Sequence, residues 1–148
     1  MRSITSYRRK AMHHLTSERL CGIITAIGGA TMKENKLVEL SMDFSVDIIN
    51  LVKYLKANHE TIISNQIGRS GTSIGANIHE AQYAQGTKDF ISKFEIALKE
   101  ASETGYWLEL LYRTKYIDEQ TFKALSSKCT SLRVMLIASC KTAKENSK

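Results

Sequence analysis

Apolar residues recur at steps of three and four along most of this chain, which is the spacing that places side chains on one face of an α-helix. The pattern begins near residue 36 and continues into the C-terminal region. No proline occurs among the 148 residues, so no position forces a helix to break. The pattern argues against a β-rich fold and predicts an all-α protein, long enough to bury a core without metals or disulfides.

Four stripes of this kind predict four helices, the first over about residues 36–57. The third stripe contains Phe90, Phe94, Ala97, Ala101, Gly105, Leu108 and Tyr112. On its solvated side, Lys99 is spaced to pair with Glu95 and Glu103. Caps and turn formers mark the expected helix ends, at Asn35, Ala57-Asn58-His59, Gln85-Gly86, Thr87, Tyr116 and Asp118. Because short connections join antiparallel neighbours, we predict an antiparallel up-down-up-down four-helix bundle over residues 35–146.

Residues 1–34 are predicted to form a separate N-terminal extension. Residues 1–36 hold seven Lys or Arg against two Glu, so most of the chain's net charge of +6 lies here. The apolar run Leu20–Ala30 is shorter than the roughly 20 residues that span a bilayer, and we expect no membrane association. The extension is therefore interpreted as poorly ordered, or as upstream of a true start at Met32.

Three glycines lie on one side of the predicted second helix. Gly68, Gly71 and Gly75 are three and four residues apart, and each costs about 1 kcal/mol relative to alanine inside a helix. Close approach by a neighbouring helix would offset that cost. The spacing therefore predicts tight helix packing along this side.

A polar stripe accompanies these glycines, and it consists of Gln66, Ser70, Ser73, Asn77 and Glu80. It is compatible with a hydrogen-bonded seam between helices or subunits, with an ordinary wet surface, or with a ligand site. We take the stripe as a candidate interface. Trp107, one step off the third stripe, is a second interface candidate, with base stacking as its alternative.

The same segment carries the most distinctive pattern of the chain. It reads Gln66-Ile67-x-Arg69-Ser70-x-x-Ser73-Ile74-x-x-Asn77-Ile78-x-Glu80, followed by Asp89-Phe90 and Phe94-x-x-Ala97. Over residues 35–145 the chain resembles the bacterial four-helix-bundle family associated with intervening sequences in 23S ribosomal RNA genes. That family also includes the accessory variability determinant of diversity-generating retroelements.

The resemblance implies a ring-like homopentamer. For the retroelement members it also implies binding of nucleic acid and of a reverse transcriptase through basic surfaces. Two positions depart from the family pattern: Gly68 stands where a second arginine is common, and Ala81 stands where glycine usually follows the glutamate. Arg69 therefore remains the candidate cation of this helix for nucleic acid contact.

Further candidate contacts to RNA or DNA lie on the third and fourth helices. A basic ridge on the fourth helix spans an arc of about 80°, in which we expect no acidic side chain. The ridge consists of Lys123, Arg133, Lys141, Lys144 and Lys148, and Arg113 and Lys115 lie at the end of the third helix. A competing interpretation pairs this ridge with the acidic residues Glu39, Asp43 and Asp47 of the first helix, within a subunit or across a ring interface.

Catalytic patterns are missing from the sequence. There is no Glu-x-x-His pair for a di-iron bundle, and His79-Glu80 lacks the second histidine of HExxH. The three cysteines, Cys21, Cys129 and Cys140, form no CxxC pair, which favours a reducing, cytoplasmic compartment. We expect no enzyme, metal or cofactor. The predicted function is a self-assembling module that binds RNA or DNA, with a purely protein-binding scaffold or accessory subunit as the alternative.

Overall fold

The computed structural model of the protein describes residues 31–147, and these contain four α-helices and no strand. The helices are α1 (Thr31–Ala57), α2 (Ile62–Ala81), α3 (Thr87–Arg113) and α4 (Glu119–Glu145). Residues from Lys36 onward form one compact unit. The predicted extension, residues 1–34, lies almost wholly outside the described residues, as do Cys21 and the ridge residue Lys148. Its division from the bundle at residue 34 stays a prediction.

One buried stripe from each helix builds the core. The fully buried side chains include Phe44 and Ile48 of α1, Ile67, Ile74 and Ile78 of α2, Leu108 and Leu111 of α3, and Leu132 and Leu136 of α4. Cys129 and Cys140 lie among them as small core residues. The predicted stripes of α1, α2 and α4, and the first half of that of α3, are thus the faces that the helices bury, which confirms the predicted helical bundle.

The glycine side of α2 packs tightly against α1, as predicted. A Cβ atom added at Gly71 would lie 2.8 Å from Cγ1 of Ile48. One added at Gly75 would lie 3.3 Å from the backbone oxygen of Ser41. A larger residue at either position would therefore require atoms of α1 to shift, because its Cβ would lie closer to them than ordinary van der Waals contact.

Contacts between consecutive helices run in opposite order along the two helices, as they do between antiparallel neighbours. Towards the end of α2, Gly71 and then Gly75 contact progressively earlier residues of α1. The contacts between the later helices are Ser70–Thr104, Glu80–Lys93, Cys129–Ala101 and Lys144–Glu95. An ion pair between Asp47 and Lys128 joins α4 to α1.

Local chemistry sets the ends of the helices. Asp118 is the N-cap of α4, as predicted, and its carboxylate accepts a hydrogen bond from the backbone N–H of Thr121 at 2.7 Å. This hydrogen bond lowers the pKa of Asp118. At the start of α2, both carboxylate oxygens of the buried Glu60 accept backbone hydrogen bonds, from Ile63 at 2.8 Å and Ser64 at 2.7 Å. The sequence analysis did not identify this cap.

Three predicted helix ends were wrong. Asn35 is not an N-cap, because α1 begins at Thr31. Gly86, rather than Thr87, is the N-cap of α3. The helix α3 ends at Arg113, before the predicted Tyr116, because Lys115 adopts a left-handed backbone conformation with φ 63°. The turn at His59, with φ 61°, confirms the predicted end of α1.

The inner face of α3 differs from prediction in its second half. Thr104 and Leu111 are buried, whereas Tyr112 is 38% exposed. The buried positions, Phe94, Ala97, Ala101, Thr104, Leu108 and Leu111, alternate steps of three and four without interruption. This heptad spacing keeps one face turned to its neighbours, as in coiled coils, whereas the predicted stripe drifted around the helix.

Candidate interaction surfaces

The polar stripe of α2 faces α3 at two of its five positions. Ser70 is fully buried, and its Oγ lies 3.0 Å from Oγ1 of Thr104 in a hydrogen bond. Glu80 accepts a hydrogen bond from Lys93 near the other end of the contact. At these two positions the stripe is therefore a seam between helices of one subunit.

The other members of the stripe make no contact to a neighbouring helix among the hydrogen bonds of residues 36–147. Asn77 is half-buried, and its Nδ2 donates to the backbone oxygen of Ser73 in the same helix at 2.8 Å. Gln66 is exposed. For these three positions, assignment to an intersubunit interface stays a prediction.

Arg69 and Trp107 both bind the carboxylate of Glu103, a contact that was not predicted from the sequence. The Arg69 guanidinium forms ion pairs with Glu103 and, at 3.3 Å, with Glu100. Nε1 of Trp107 donates to Oε1 of Glu103 at 3.1 Å. The hydrogen bonds from Arg69 and then Trp107 lower the pKa of Glu103. A phosphate group approaching Arg69 would therefore compete with two carboxylates.

Carboxylates also accompany the basic ridge of α4. Lys123 pairs with Glu119 at 2.6 Å, and Lys144 pairs with Glu95 of α3 at 2.8 Å. The expectation of an arc without acids was wrong, since Glu119 lies one turn before Lys123 on the same face. The Lys144 ammonium lowers the pKa of Glu95 by hydrogen bonding, and the carboxylate raises the pKa of Lys144. These exposed pairs weaken the ridge as a phosphate site without removing its cations.

Two predicted nucleic-acid contacts have no carboxylate partner among the ion pairs of the described residues. They are Arg133, exposed on α4, and Lys115, exposed in the turn after α3. Arg113 pairs with Glu109 of its own helix, and Lys141 lies 4.0 Å from Glu145. Of the predicted contacts, Arg133 and Lys115 are therefore the cations most available to an external anion.

Lys115 lines an open cleft of about 980 Å³ between α1 and the connection from α3 to α4. Three tyrosines line the same cleft, namely Tyr54, Tyr112 and Tyr116. The ring of Tyr112 stacks on Phe122, with centroids 4.7 Å apart and planes 9° from parallel. Tyr112 and Tyr116 thus lie in one cleft with a cation. Trp107 lies elsewhere, against Tyr106.

The acidic residues of α1 only partly meet the basic residues of α4. Asp47 pairs with Lys128, which is not a member of the predicted ridge. Glu39 and Asp43 are exposed, and neither has a basic partner among the ion pairs of residues 36–147. Among the ion pairs of the described residues, none of the three acids therefore pairs with a member of the ridge, and Asp47 pairs with a lysine outside it.

Apolar side chains stand on the outward faces of α1 and α4, and the sequence analysis missed them. On α1, Met42 is 61% exposed, Val46 52% and Ile49 43%. On α4, Val134 is 61% exposed and Ile137 54%. The pattern was visible in the sequence, because residues 42, 46 and 49 are four and three apart. It was overlooked because the inner stripe of the same helix already accounted for a core face.

Metal ligands and membrane spans are not found in the part of the chain that the structure describes. No group of three His, Cys, Asp or Glu side chains there is placed to hold a metal ion. Among residues 31–147, no helix is both long and apolar enough to cross a bilayer. Burial raises the pKa of the Cys129 thiol to about 11, which keeps it protonated near neutral pH.

Comparisons with known proteins agree with the sequence resemblance. A family model described as "23S rRNA-intervening sequence protein" matches residues 33–138. A crystal structure of a protein of unknown function from the S23 ribosomal protein family of Bacteroides thetaiotaomicron VPI-5482 is 50% identical to this chain. The match has a TM-score of 0.73 and covers 74% of this chain and 99% of the other. No curated protein matches.

Proposed function

The chain belongs to the 23S rRNA-intervening sequence protein family, and we propose that it is a non-enzymatic module that assembles with copies of itself and binds another macromolecule. The family resemblance suggests a homopentamer as the assembled form. The observation that carries the proposal is the row of apolar side chains on the outward face of α1. The buried bundle core does not account for this row.

A helix on the surface of a monomeric bundle normally presents polar side chains to solvent. The outward face of α1 instead presents Met42, Val46 and Ile49 over about 10 Å of helix length. Each of the three has between 43% and 61% of its surface exposed. Because removing apolar surface from water is favourable, at roughly 25 cal/mol per Å², association that covers this row stabilises the assembled state.

Light scattering after size exclusion tests self-assembly directly. The full chain, with a monomer mass of 16.6 kDa, should elute at a multiple of that mass, and a pentamer at five times it. The series should cover micromolar to tens of micromolar protein, because mass action populates monomers on dilution. A monomer at every concentration refutes the proposal.

For the macromolecular partner, we propose RNA or DNA. The support is that Lys115 has no carboxylate partner among the described ion pairs and lies beside three tyrosines. Phosphates would contact this cation and unpaired bases would stack on the tyrosines. The alternative is a scaffold that binds only protein, such as an accessory subunit of a reverse transcriptase.

Titration with labelled single-stranded and double-stranded RNA and DNA separates these two functions. Nucleic acid binding predicts a dissociation constant that rises steeply between 50 and 200 mM salt, by roughly tenfold or more if several phosphates are contacted. A scaffold predicts no binding at either salt concentration while the protein remains assembled.

A further inference from the structure

We infer that the outward face of α1 docks on the outward face of α4 of a second copy of this chain. The inference rests on the proposed self-assembly and names the two surfaces that carry it. The α1 face consists of Met42, Val46 and Ile49 with the flanking acids Glu39 and Asp43. The α4 face consists of Val134 and Ile137 with the flanking cations Arg133 and Lys141.

The apolar parts of the two faces are unpartnered within the subunit. Met42 and Val46 of α1, like Val134 and Ile137 of α4, are each more than half exposed. Both rows lie outside the buried stripes of their own helices; the α1 row steps by four and three, and the α4 pair is three residues apart. Two such rows can cover each other when helices from two copies pack side by side.

The charges beside the two rows are opposite, and they identify the partner. Among the ion pairs of residues 36–147, Glu39 and Asp43 have no cation, and Arg133 has no carboxylate. Lys141 has only Glu145 at 4.0 Å, the longest of the ion pairs in this part of the chain. Acidic side chains therefore flank the N-terminal half of the apolar row of α1, Lys53 follows the C-terminal end of that row, and cations flank the apolar pair of α4. Complementary charges of this kind fix which surfaces meet and in what register.

Pairing two different faces has a consequence for the form of the assembly. Each copy offers one α1 face and one α4 face, so contacts run head to tail from copy to copy. Such a heterologous contact closes into a ring when its rotation permits, which is the form proposed above. Contact between two α1 faces would instead stop at a dimer and would leave Val134 and Ile137 in solvent.

The two faces also account for part of the predicted nucleic-acid surface. Arg133 and Lys141 become covered by the neighbouring copy in the assembled form. Lys115 lies in the connection between α3 and α4, outside both faces. The basic residues of α4 therefore act in assembly, and the tyrosine-lined cleft is left for nucleic acid.

Apolar substitutions test the two faces separately by light scattering after size exclusion. Val46→Lys on α1 and Ile137→Glu on α4 should each reduce the mass of an assembled wild type towards the 16.6 kDa monomer. Ile62→Lys is the matched control, because Ile62 is 77% exposed and lies outside both faces. The control should retain the wild-type mass. Circular dichroism checks that each variant keeps its helix content.

Charge reversal tests the pairing itself. Glu39→Lys with Asp43→Lys should weaken assembly, measured as at least a tenfold rise in the concentration at which half the chains are assembled. Arg133→Glu with Lys141→Glu should have the same effect. All four substitutions in one chain leave the net charge at +6 and exchange the signs of the two faces, so assembly should be restored.

The outcomes separate this inference from the proposed function. A monomeric wild type contradicts both. A wild type that assembles, with Val46→Lys equally assembled, overturns the α1 face and leaves self-assembly standing. If the α1 variants dissociate and the α4 variants do not, α1 pairs with itself, and the inference is wrong. A fourfold variant that stays as weak as either double variant rejects the charge pairing.

Discussion

Replacement of Gly71 by alanine is the sharpest test of how α1 and α2 pack. The added Cβ would lie 2.8 Å from Cγ1 and 2.9 Å from Cγ2 of Ile48. Cβ atoms do not approach other carbons this closely, so Ile48 or the backbone of α2 must shift. Ile48 is fully buried, and because protein interiors are close-packed, such a shift disturbs its neighbours.

Two opposing terms set the expected size of the effect. Alanine favours a helix interior over glycine by about 1 kcal/mol. Overpacking of a close-packed core costs about 1–3 kcal/mol. The free energy of unfolding of Gly71→Ala should therefore fall by about 0–2 kcal/mol, although the substitution improves the intrinsic helix propensity.

Gly105→Ala provides a matched control in α3. A Cβ at Gly105 would meet no atom within 4 Å, so only the helix propensity changes. This variant should gain up to about 1 kcal/mol of stability. Urea denaturation followed by circular dichroism, at one fixed protein concentration, measures both variants. The two should differ by about 1–3 kcal/mol, which is the overpacking cost alone.

A double-mutant cycle with Ile48→Ala adds an independent check. Removal of the isoleucine side chain eliminates the atoms that the new methyl group would meet. The two substitutions should therefore couple favourably, by about 1 kcal/mol or more. If Gly71→Ala proves as stable as Gly105→Ala, or if the cycle shows no coupling, the close approach of α1 and α2 is refuted.

Three further predictions concern a cap, a thiol and the cleft. Glu60→Ala should lower the free energy of unfolding by about 1–3 kcal/mol, because the N–H groups of Ile63 and Ser64 lose their acceptor. The exposed Glu119→Ala should change it by less than about 0.5 kcal/mol, and equal losses in urea denaturation would contradict this. Cys129 should stay unalkylated by iodoacetamide at pH 8 until urea unfolds the protein, as read by mass spectrometry, since its pKa is about 11. Lys115→Glu should weaken RNA or DNA binding at least tenfold in a titration, with the wild-type assembly mass retained; unchanged affinity removes the cleft from nucleic acid contact.

Features governed by nearby residues could be predicted from the sequence. Asp118 caps α4 because its carboxylate lies three positions before the backbone N–H of Thr121 and accepts a hydrogen bond from it. This geometry depends only on neighbouring residues. Close packing on the glycine side of α2 could also be predicted, because three glycines at helical spacing indicate close approach by a neighbouring helix. In both cases the chemistry and the spacing lie within one short segment.

Contacts between helices could not be predicted in the same way. Arg69 meets Glu103 across 34 positions of sequence, and Lys144 meets Glu95 across 49. A helical wheel displays only the residues of its own helix, so it suggested pairs between Lys99 and these two glutamates. The structure shows the glutamates paired with cations of other helices instead. Rotation of each helix about its axis decides such contacts, and packing sets that rotation.

The candidate site illustrates a different limit. The outward apolar row of α1 follows the same rule as the inner stripe, and both are present in one segment. Sequence periodicity cannot tell which of two apolar faces is buried inside the subunit and which meets a second copy. Only the packed bundle separates them, because it buries Phe44 and Ile48 and leaves Met42 and Val46 in solvent.

The central claim is that this helical bundle functions as an assembly built through α1. Native mass spectrometry of the full chain beside its Val46→Lys variant tests it most directly, because it counts the copies in each particle. The account predicts wild-type particles of several 16.6 kDa chains, five if the ring is a pentamer, and single chains for the variant. Single chains in both samples, or the same assembly in both, would contradict it.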